Sequence, residues 1–430
     1  MDDRDSFGRP TVVVTGMGVI TSLGQGQADN WRALTAGVSG IRRISRFPVG
    51  GLKTTIAGTV DFVPVAEMSA PALSERIAEL VIEEALAEAA IGRQSHDAGG
   101  DFPGPLFLAF PPVEMEWAQR TALAAAAGAN ATASYDDLLR AAGTGKFSAW
   151  YERFLFGSIA EHLADRFGTK GSPIGTNTAC ASGGTAIQLG VEAIRRGECE
   201  AALAIGADAS ITQESLVRFS LLSALSTQND PPDRASKPFS KNRDGFVLAE
   251  GAAALVLESL AHARARGARV LGILEGYGEK SDSFHRTRTS PDGKPIIATM
   301  QRALADAGVG PEDIDYINAH GTSTPENDKM EHLGVSAVFG ERIRGIPISS
   351  NKSMIGHTLT AAGAVEAAFT LMTLQSQRLP PTINHAIPDP TIHLDVVPNV
   401  ARDAKVNRAI SNSFGFGGQN MCLVVALEPA

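Results

Sequence analysis

The chain has three cysteines, Cys180, Cys199 and Cys422. The first sits in GTNTACASGG (175–184), a run of small residues that lets both backbone and a ligand come close to the sulfur. Downstream, Ile187, Val191 and Ile194 recur at i, i+4 and i+7, the stripe of a packed helix, which Gly197 closes. That spacing predicts Cys180 at a helix N-terminus, where unpaired N–H groups and the helix dipole favour a thiolate nucleophile. The competing reading is a buried structural cysteine beside a tight helix–strand contact. Cys199 and Cys422 have no such setting and read as packing. In YINAHGTSTPENDKMEHLG (316–334) a strand ends in His320 and a Gly/Ser/Thr/Pro turn follows. The imidazole then emerges at a strand's C-terminal end, where α/β sheets bind ligands; an ordinary loop histidine is the alternative. The segment ISSNKSMIGHTLTAAGA (348–364) repeats the pattern of strand, polar loop, His357 and helix. It also carries Lys352, which could equally be a surface lysine. Near the C-terminus, SNSFGFGGQN (411–420) alternates Phe and Gly, which suits a loop whose backbone N–H groups meet a ligand. Phosphate cradling competes with that reading, but no GxGxxG or GxxxxGK[ST] follows a strand here. The remaining histidines, His96, His162, His262, His285, His332, His385 and His393, show no metal-ligand spacing, so no metal is assigned.

Gly-punctuated strands and amphipathic helices alternate around these segments. Thr11–Ile20, Ala201–Ser210 and Gly251–Leu260 read as buried strands; Ser74–Ala90, with Ser74 as N-cap, and Ile297–Gly308 read as helices. The alternation predicts an α/β class with internal sheets. ALAEAAIG (85–92) recurs as ALADAGVG (303–310), and 175–194 resembles 348–372 in kind, which suggests a duplication with a seam near residues 261–270. Residues 111–151 break the pattern and read as a helical insertion with Leu, Trp and Phe available for burial.

A chain of 430 residues can bury a sizeable core, with 43% hydrophobic and 20% charged residues typical of a globular protein. No apolar run approaches the roughly 20 residues that span a bilayer. The acidic, polar start MDDRDSFGRP is unlike a targeting peptide, and cysteines without CxxC spacing argue against a disulfide framework, so a reducing cytoplasm is expected. Net charge −9 disfavours non-specific nucleic-acid binding.

Taken together, TACASGG, NAHGTSTPENDKME, NKSMIGHTLTAAGAVEA and NSFGFGGQN closely resemble the β-ketoacyl-acyl carrier protein synthases, specifically the elongating type II (KAS II-like) group of the thiolase superfamily. TGMGVITSLG (15–24), residues 224–252 and PPTIN (380–384) fit as well, so the resemblance covers nearly the whole chain. It implies an α/β thiolase fold, two pseudo-twofold related halves in a five-layer αβαβα arrangement. Residues 1–262 would form the half with the nucleophilic Cys and the insertion, and residues 263–430 the half with both catalytic His. It further implies a Cys180–His320–His357 site supported by Lys352, with Lys352 paired to Glu331 and with Asp328 as a further supporting carboxylate. The implied reaction is a ping-pong decarboxylative Claisen condensation: Cys180 takes an acyl group from a carrier-protein thioester, and malonyl-carrier protein then loses CO2 and attacks it. Two oxyanions arise, so two donor sets are needed. Neutral His320 and His357 would serve the enolate, and the backbone N–H groups of Cys180 and Phe416 the tetrahedral oxyanion. Phe219, Phe246, Phe414 and Phe416 would line or gate the acyl pocket, with core packing as the alternative. No cofactor is implied, since the phosphopantetheine thioesters are substrates; the partners implied are acyl carrier protein and a second copy in a homodimer.

The sequence departs from the family's pattern in three places. Residues 111–151 replace a Gly-rich and Pro/Phe stretch that in relatives helps form the dimer interface and line the acyl pocket. Ser223, four after Phe219, stands where relatives commonly place a carrier-docking arginine, and the Ser74–Ala90 helix is acidic where theirs is basic. Arg42, Arg43 and Arg46, or Arg286 and Arg288, are therefore candidates for a moved docking face. His285 lies in a segment that borders the carrier arm's channel in relatives. A thiolase would need a second Cys in CxGxG, which SFGFGG (413–418) lacks, and an initiating KAS III-like enzyme would replace one His by Asn. A chain-length-setting partner subunit typically lacks the nucleophile that Cys180 supplies; a polyketide-type ketosynthase is a further alternative.

Overall fold

A computed structural model describes residues 2–92, 100–128 and 134–427; His96 lies outside them. Ten principal strands and ten helices are named here. The strands are β1 (Val12–Thr21), β2 (Leu106–Ala109), β3 (Ile174–Thr176), β4 (Ala201–Asp208), β5 (Gly251–Ser259), β6 (Gly272–Ser281), β7 (Tyr316–Asn318), β8 (Ile348–Ser349), β9 (Arg408–Phe414) and β10 (Gln419–Ala426). The helices are α1 (Ala70–Ala89), α2 (Trp117–Ala126), α3 (Tyr135–Ala142), α4 (Ser148–Arg153), α5 (Ser158–Phe167), α6 (Ser182–Arg195), α7 (Gln213–Leu221), α8 (Lys294–Ala307), α9 (Pro325–Phe339) and α10 (Ala362–Ser376).

The first five strands run in the spatial order β3-β2-β4-β5-β1, and the next five in the order β8-β7-β9-β10-β6. Adding five to each label maps one half onto the other. The senses also match: β2 is parallel to β3 and β4, as β7 is to β8 and β9, and the remaining pairs are antiparallel. Val13 and Val14 of β1 pair with Ile273 and Gly272 of β6, which joins the two sheets along one edge. The duplication hinted at by the two Ala-rich helix ends is thus a repeat of the whole βα plan, with α1 answering to α8 and α6 to α10.

Burial explains the layers. β1 and β4 are buried at every position because helices cover both faces, so they read as continuous apolar runs rather than alternating ones. Along β4, Ala202 and Ala204 face the central helices, whereas Leu203 and Ile205 face α1 and α5. Helix α10 is buried from Ala362 to Leu374 on all sides, as a middle layer requires. A third core, with Met300, Leu304, Val335 and Ile410, lies between the second sheet and α8 and α9. The order is α1/α5, first sheet, α6/α10, second sheet, α8/α9, the five layers expected.

Two local expectations need correction. Ser74 is not a cap: α1 begins at Ala70 behind Ser69, whose side chain accepts from Ala72 N, because Pro71 is tolerated in a first turn. Ser74 lies inside the helix and accepts from Ala209 N at 3.0 Å. The insertion is helical, as α2, α3 and α4, but its large apolar residues are not core. Trp117, Tyr135, Leu139 and Tyr151 are exposed, and among the described residues of these three helices only Gln119 and Ala141 are buried. No helix among the described residues is long and apolar enough to cross a membrane.

Candidate active site

Cys180, His320 and His357 all follow the C-terminal ends of parallel strands, β3, β7 and β8. The sheets therefore deliver them to one place: the thiol and one ring nitrogen of each histidine lie within 4.8 Å of one another. Cys180 rests on a strained turn, with Ala179 at φ +52°. Ser182 clamps it, its hydroxyl accepting from Thr178 N at 2.7 Å and donating to the Ala179 carbonyl at 2.6 Å. Across the molecule, the loop after β9 closes on the thiol. A Cβ on Gly415 would stand 3.2 Å from Cys180 N and 3.0 Å from Thr178 O, so a side chain there would push the loop off the thiol by a few tenths of an ångström. The Phe416 N–H then donates to the Cys180 sulfur. The sequence placed this cysteine at a helix N-terminus, and it stands two residues ahead of α6, but it is also buried, and burial pushes the thiol up to about 11 despite the Phe416 N–H and the Lys352 charge.

The two imidazoles have fixed tautomers. Leu359 N donates to His357 Nδ1 at 3.2 Å, which leaves the proton on Nε2, and Nε2 faces Cys180 Sγ at 3.1 Å. Lys352 Nζ lies 3.4 Å from His320 Nδ1, and an ammonium can only donate, so His320 also carries its proton on Nε2. Both rings are held well below the ordinary histidine value of 6.5, first by burial and then by the Lys352 charge. They are neutral N–H donors near pH 7, which is what a nascent enolate oxygen requires. A divalent metal would find three ligand atoms here, but the adjacent ammonium opposes it electrostatically.

Lys352 is fully buried and forms an ion pair with Glu366 on α10, not with Glu331 as the resemblance suggested. Burial raises Glu366 to about 7. Glu331 on α9 instead accepts from His320 N at 2.8 Å and Gly321 N at 2.7 Å, and so holds the His320 backbone. Asp328, four residues and about one turn beyond the N-cap Thr324, accepts from Phe239 N at 2.8 Å and Ser323 N at 3.2 Å. Burial raises both carboxyls, Glu331 to about 7 and Asp328 to about 6. Glu366 was legible in principle as the one acid in the apolar run GAVEAAF, nine residues past His357. Asp208 was also missed: it ends β4 and accepts from Thr360 N at 3.1 Å and Thr360 Oγ1 at 2.7 Å. The first half thereby grips the loop that carries His357. Val247 and Ala249 complete the grip, exchanging backbone bonds of 2.7 and 2.9 Å with His357.

The four phenylalanines all reach the site. Phe246 stacks edge-on against His357 at 5.3 Å and against Phe219 at 5.4 Å, while Phe414 lies 5.8 Å from His320. With Phe416 they line a cavity of about 390 Å³ that opens from Cys180 toward Met115 and Ser215. Its far end carries Glu114, Glu116, Glu214 and Arg218. The first two belong to the segment entering α2, so the rebuilt region does form pocket wall. A second cavity of about 310 Å³ shares Leu222, Thr324, Asn327, Phe414 and Phe416 with the first and reaches His285, Arg286 and Arg288. Ser223, at φ +53°, lines it too. Arg46 is no docking candidate: its guanidinium is held by buried Glu250 at 2.8 Å and by Asp61 at 2.7 Å.

Residues 9–80 and 110–263 match the family described as beta-ketoacyl synthase, N-terminal domain, and residues 271–386 match beta-ketoacyl synthase, C-terminal domain. A 3-oxoacyl-[acyl-carrier-protein] synthase 2 of Coxiella burnetii is 37% identical over 421 residues, covering 96% of this chain and 98% of that protein. A putative polyketide beta-ketoacyl synthase 1 of Streptomyces cyaneus is 36% identical over 415 residues, 95% and 96% of the two chains. Among solved structures, a type II polyketide ketosynthase in complex with its acyl-carrier protein superposes with a TM-score of 0.84 at 32% identity, covering 98% of this chain and 100% of that one. A beta-ketoacyl synthase from Burkholderia phymatum gives 0.81 at 32% identity, with 97% and 99% covered.

Proposed function

The chain belongs to the β-ketoacyl synthase family, and from that premise we propose that it elongates an acyl chain on Cys180 by decarboxylative Claisen condensation with a malonyl thioester on acyl carrier protein. The observation that carries this reading is the neutral His357 Nε2–H at 3.1 Å from Cys180 Sγ, with His320 beside it and a buried lysine behind. In the first half-reaction the Cys180 sulfur attacks the acyl thioester, a new C–S bond forms, and the thiol proton leaves with the departing carrier thiol. The N–H groups of Cys180 and Phe416 donate to the tetrahedral oxyanion, the second of them already directed at the sulfur. In the second, the malonyl C–C bond to the carboxylate breaks and releases CO2. The electron pair moves onto the thioester oxygen, which the two Nε2–H donors stabilise. The enolate carbon then forms its bond to the Cys180 acyl carbon, and the released Cys180 sulfur takes a proton from solvent.

The site residues act from this chain alone, and we assign no metal or resident cofactor; the phosphopantetheine arm arrives with each substrate. We further assign a homodimer in a reducing cytoplasm. A polyketide chain on the same Cys180 is a second reading, favoured by the charged far end of the cavity at Glu116, Glu214 and Arg218. Mass spectrometry after incubation with acyl-carrier proteins of varied chain length tests both, with Cys180→Ala as control. An adduct on Cys180 that malonyl-carrier protein discharges, with the β-ketoacyl chain appearing on the carrier two carbons longer, is expected. No adduct with any carrier would sink the reading; an adduct that malonyl cannot extend would favour a chain-length-setting subunit. Repeated extension without intervening reduction would select the polyketide reading.

A further inference from the structure

One histidine outside the active site stands between two carboxylates. His162, on α5, places Nδ1 3.1 Å from Glu75 Oε1 of α1 and Nε2 3.1 Å from Glu152 Oε1 of α4. A neutral imidazole has a single N–H, so one of the two contacts would then set a ring lone pair against a carboxylate. Only the imidazolium donates to both at once. Partial burial works against that charge, but the hydrogen bonds to Glu152 and Glu75 outweigh it and raise His162 above the ordinary 6.5. The other charged groups of these helices do not compete for the ring. One turn along, Arg166 donates to Glu79 at 2.7 Å and to Glu83 at 2.6 Å, and Arg76 donates to Glu79 at 2.6 Å. Glu161 and Asp165 of α5 and Arg153 of α4 form no ion pair with the ring among the described residues.

The bridge matters because α4, the last helix of the insertion, buries none of its own residues. Glu152 ties it down twice, through the side chain to His162 and through the carbonyl, which accepts from the Ser158 hydroxyl. Just beyond α4, Phe156 packs on Phe110 at 4.8 Å, and the Phe110 carbonyl accepts from Asn177 Nδ2 at 3.1 Å beside the cavity that holds Cys180. We propose that His162 is a pH-sensitive latch, whose imidazolium ties α4 to α1 and α5 and whose deprotonation frees Glu152 and lets that helix loosen. Glu152 is the carboxylate that leaves, since its side chain is 70% exposed and regains water, whereas Glu75 is 22% exposed and keeps the remaining N–H. The direction follows from the raised proton affinity: the tether is complete below pH 6.5 and is lost as the pH rises through the higher folded value. The latch is independent of the reaction assigned to Cys180.

Hydrogen–deuterium exchange of the full chain from about pH 6 to about pH 8.5, corrected for the intrinsic pH dependence of exchange, reads the latch in peptides from residues 148–157. Their protection should fall by about two- to fivefold across that range, the size expected for exposed ion pairs, while peptides of the buried α10 hold constant. His162→Gln and Glu152→Gln should each remove the step and leave the helix as loose in acid as the wild type is in base. Both positions are partly exposed, so each variant leaves the core intact. His162→Arg, whose fork stays charged and reaches two carboxylates, should keep the helix protected throughout. NMR titration of the His162 ring should place its midpoint above 6.5 in the wild type and lower it in Glu152→Gln. A midpoint at or below 6.5, an absent step, or a step that survives in both Gln variants would overturn the latch.

Discussion

Two protons set the chemistry at the scale of single residues, those on Nε2 of His320 and His357. Their rings stay neutral because burial and the Lys352 charge both disfavour imidazolium. The sign of the pH effect follows. Unfolded histidines take protons as the pH falls through 6.5, but the folded site does not, so acid destabilises the fold before it protonates the site. Malonyl decarboxylation should therefore keep its rate at pH 6, with an acid limb well below 6.5 in a pH–rate profile. Removing the cation by Lys352→Ala should move that limb upward, toward the ordinary histidine value. A limb centred on 6.5 in the wild type would contradict neutral rings held by their surroundings. The same substitution has a structural cost. Glu366 would be left as an unpaired buried carboxyl, and breaking such a pair costs about 3–5 kcal/mol. Denaturant unfolding should show that loss for Lys352→Ala, and Glu366→Gln added to it should return a large part. This pairing also shows a limit of reading chemistry from sequence. The types at Cys180, His320, His357 and Lys352 were legible, but which carboxylate meets the lysine depends on α10 crossing behind β7 and β8, and no local pattern states that.

At the scale of elements, the site exists because α6 and α10 touch. The residues after Cys180 and after His357 are small for that reason, not only to admit a thioester. A Cβ on Gly183 would come within 2.4 Å of Ala364 N, and one on Gly363 within 2.4 Å of Gly184 N. Both are backbone atoms in the buried middle layer and have no room to yield. Gly363→Ala should push the helices apart at the crossing, at a cost of about 1–3 kcal/mol. Because α6 carries Cys180 at its start and α10 follows His357, the acylation rate should fall with stability. A variant as stable and as readily acylated as the wild type would show that the crossing does not set the geometry. The helices themselves were legible from their apolar spacing, and the glycines from their clustering. The α1 start was misread because Ser74 has a capping side chain, while Pro71 upstream is compatible with a first turn. Its hydroxyl in fact serves the far end of β4, a partner 135 residues away.

At the scale of the whole molecule, the two halves need each other: Asp208 and Val247–Ala249 of the first hold His357 of the second, while the Phe416 loop of the second caps Cys180 of the first. The repeat behind this was visible in the match of ALAEAAIG to ALADAGVG and in the likeness of 175–194 to 348–372, but its full extent needed the strand orders. The insertion was misjudged because its apolar content was read as core, and the structure turns much of it outward. A separate exposed strip, outside the insertion, is the surface on which the proposed homodimer is tested. β3 is paired only with β2 and so leaves one edge of the first sheet free. Ile174 on it is 46% exposed, and Phe156 is exposed to the same degree. The two are neighbours: the Phe156 ring packs on Phe110 at 4.8 Å and lies 3.6 Å from the Cβ position of Gly175. A free edge flanked by aromatic and aliphatic groups invites another strand, and a twofold copy offers the same strip in return. Light scattering on the purified chain should give twice the 45.0 kDa of one copy. Ile174→Asp with Phe156→Asp should shift it toward the single-chain mass, since buried carboxylates on a twofold axis face their own copies. A wild-type monomer at micromolar concentration, or a dimer indifferent to both charges, would place the interface elsewhere or remove it.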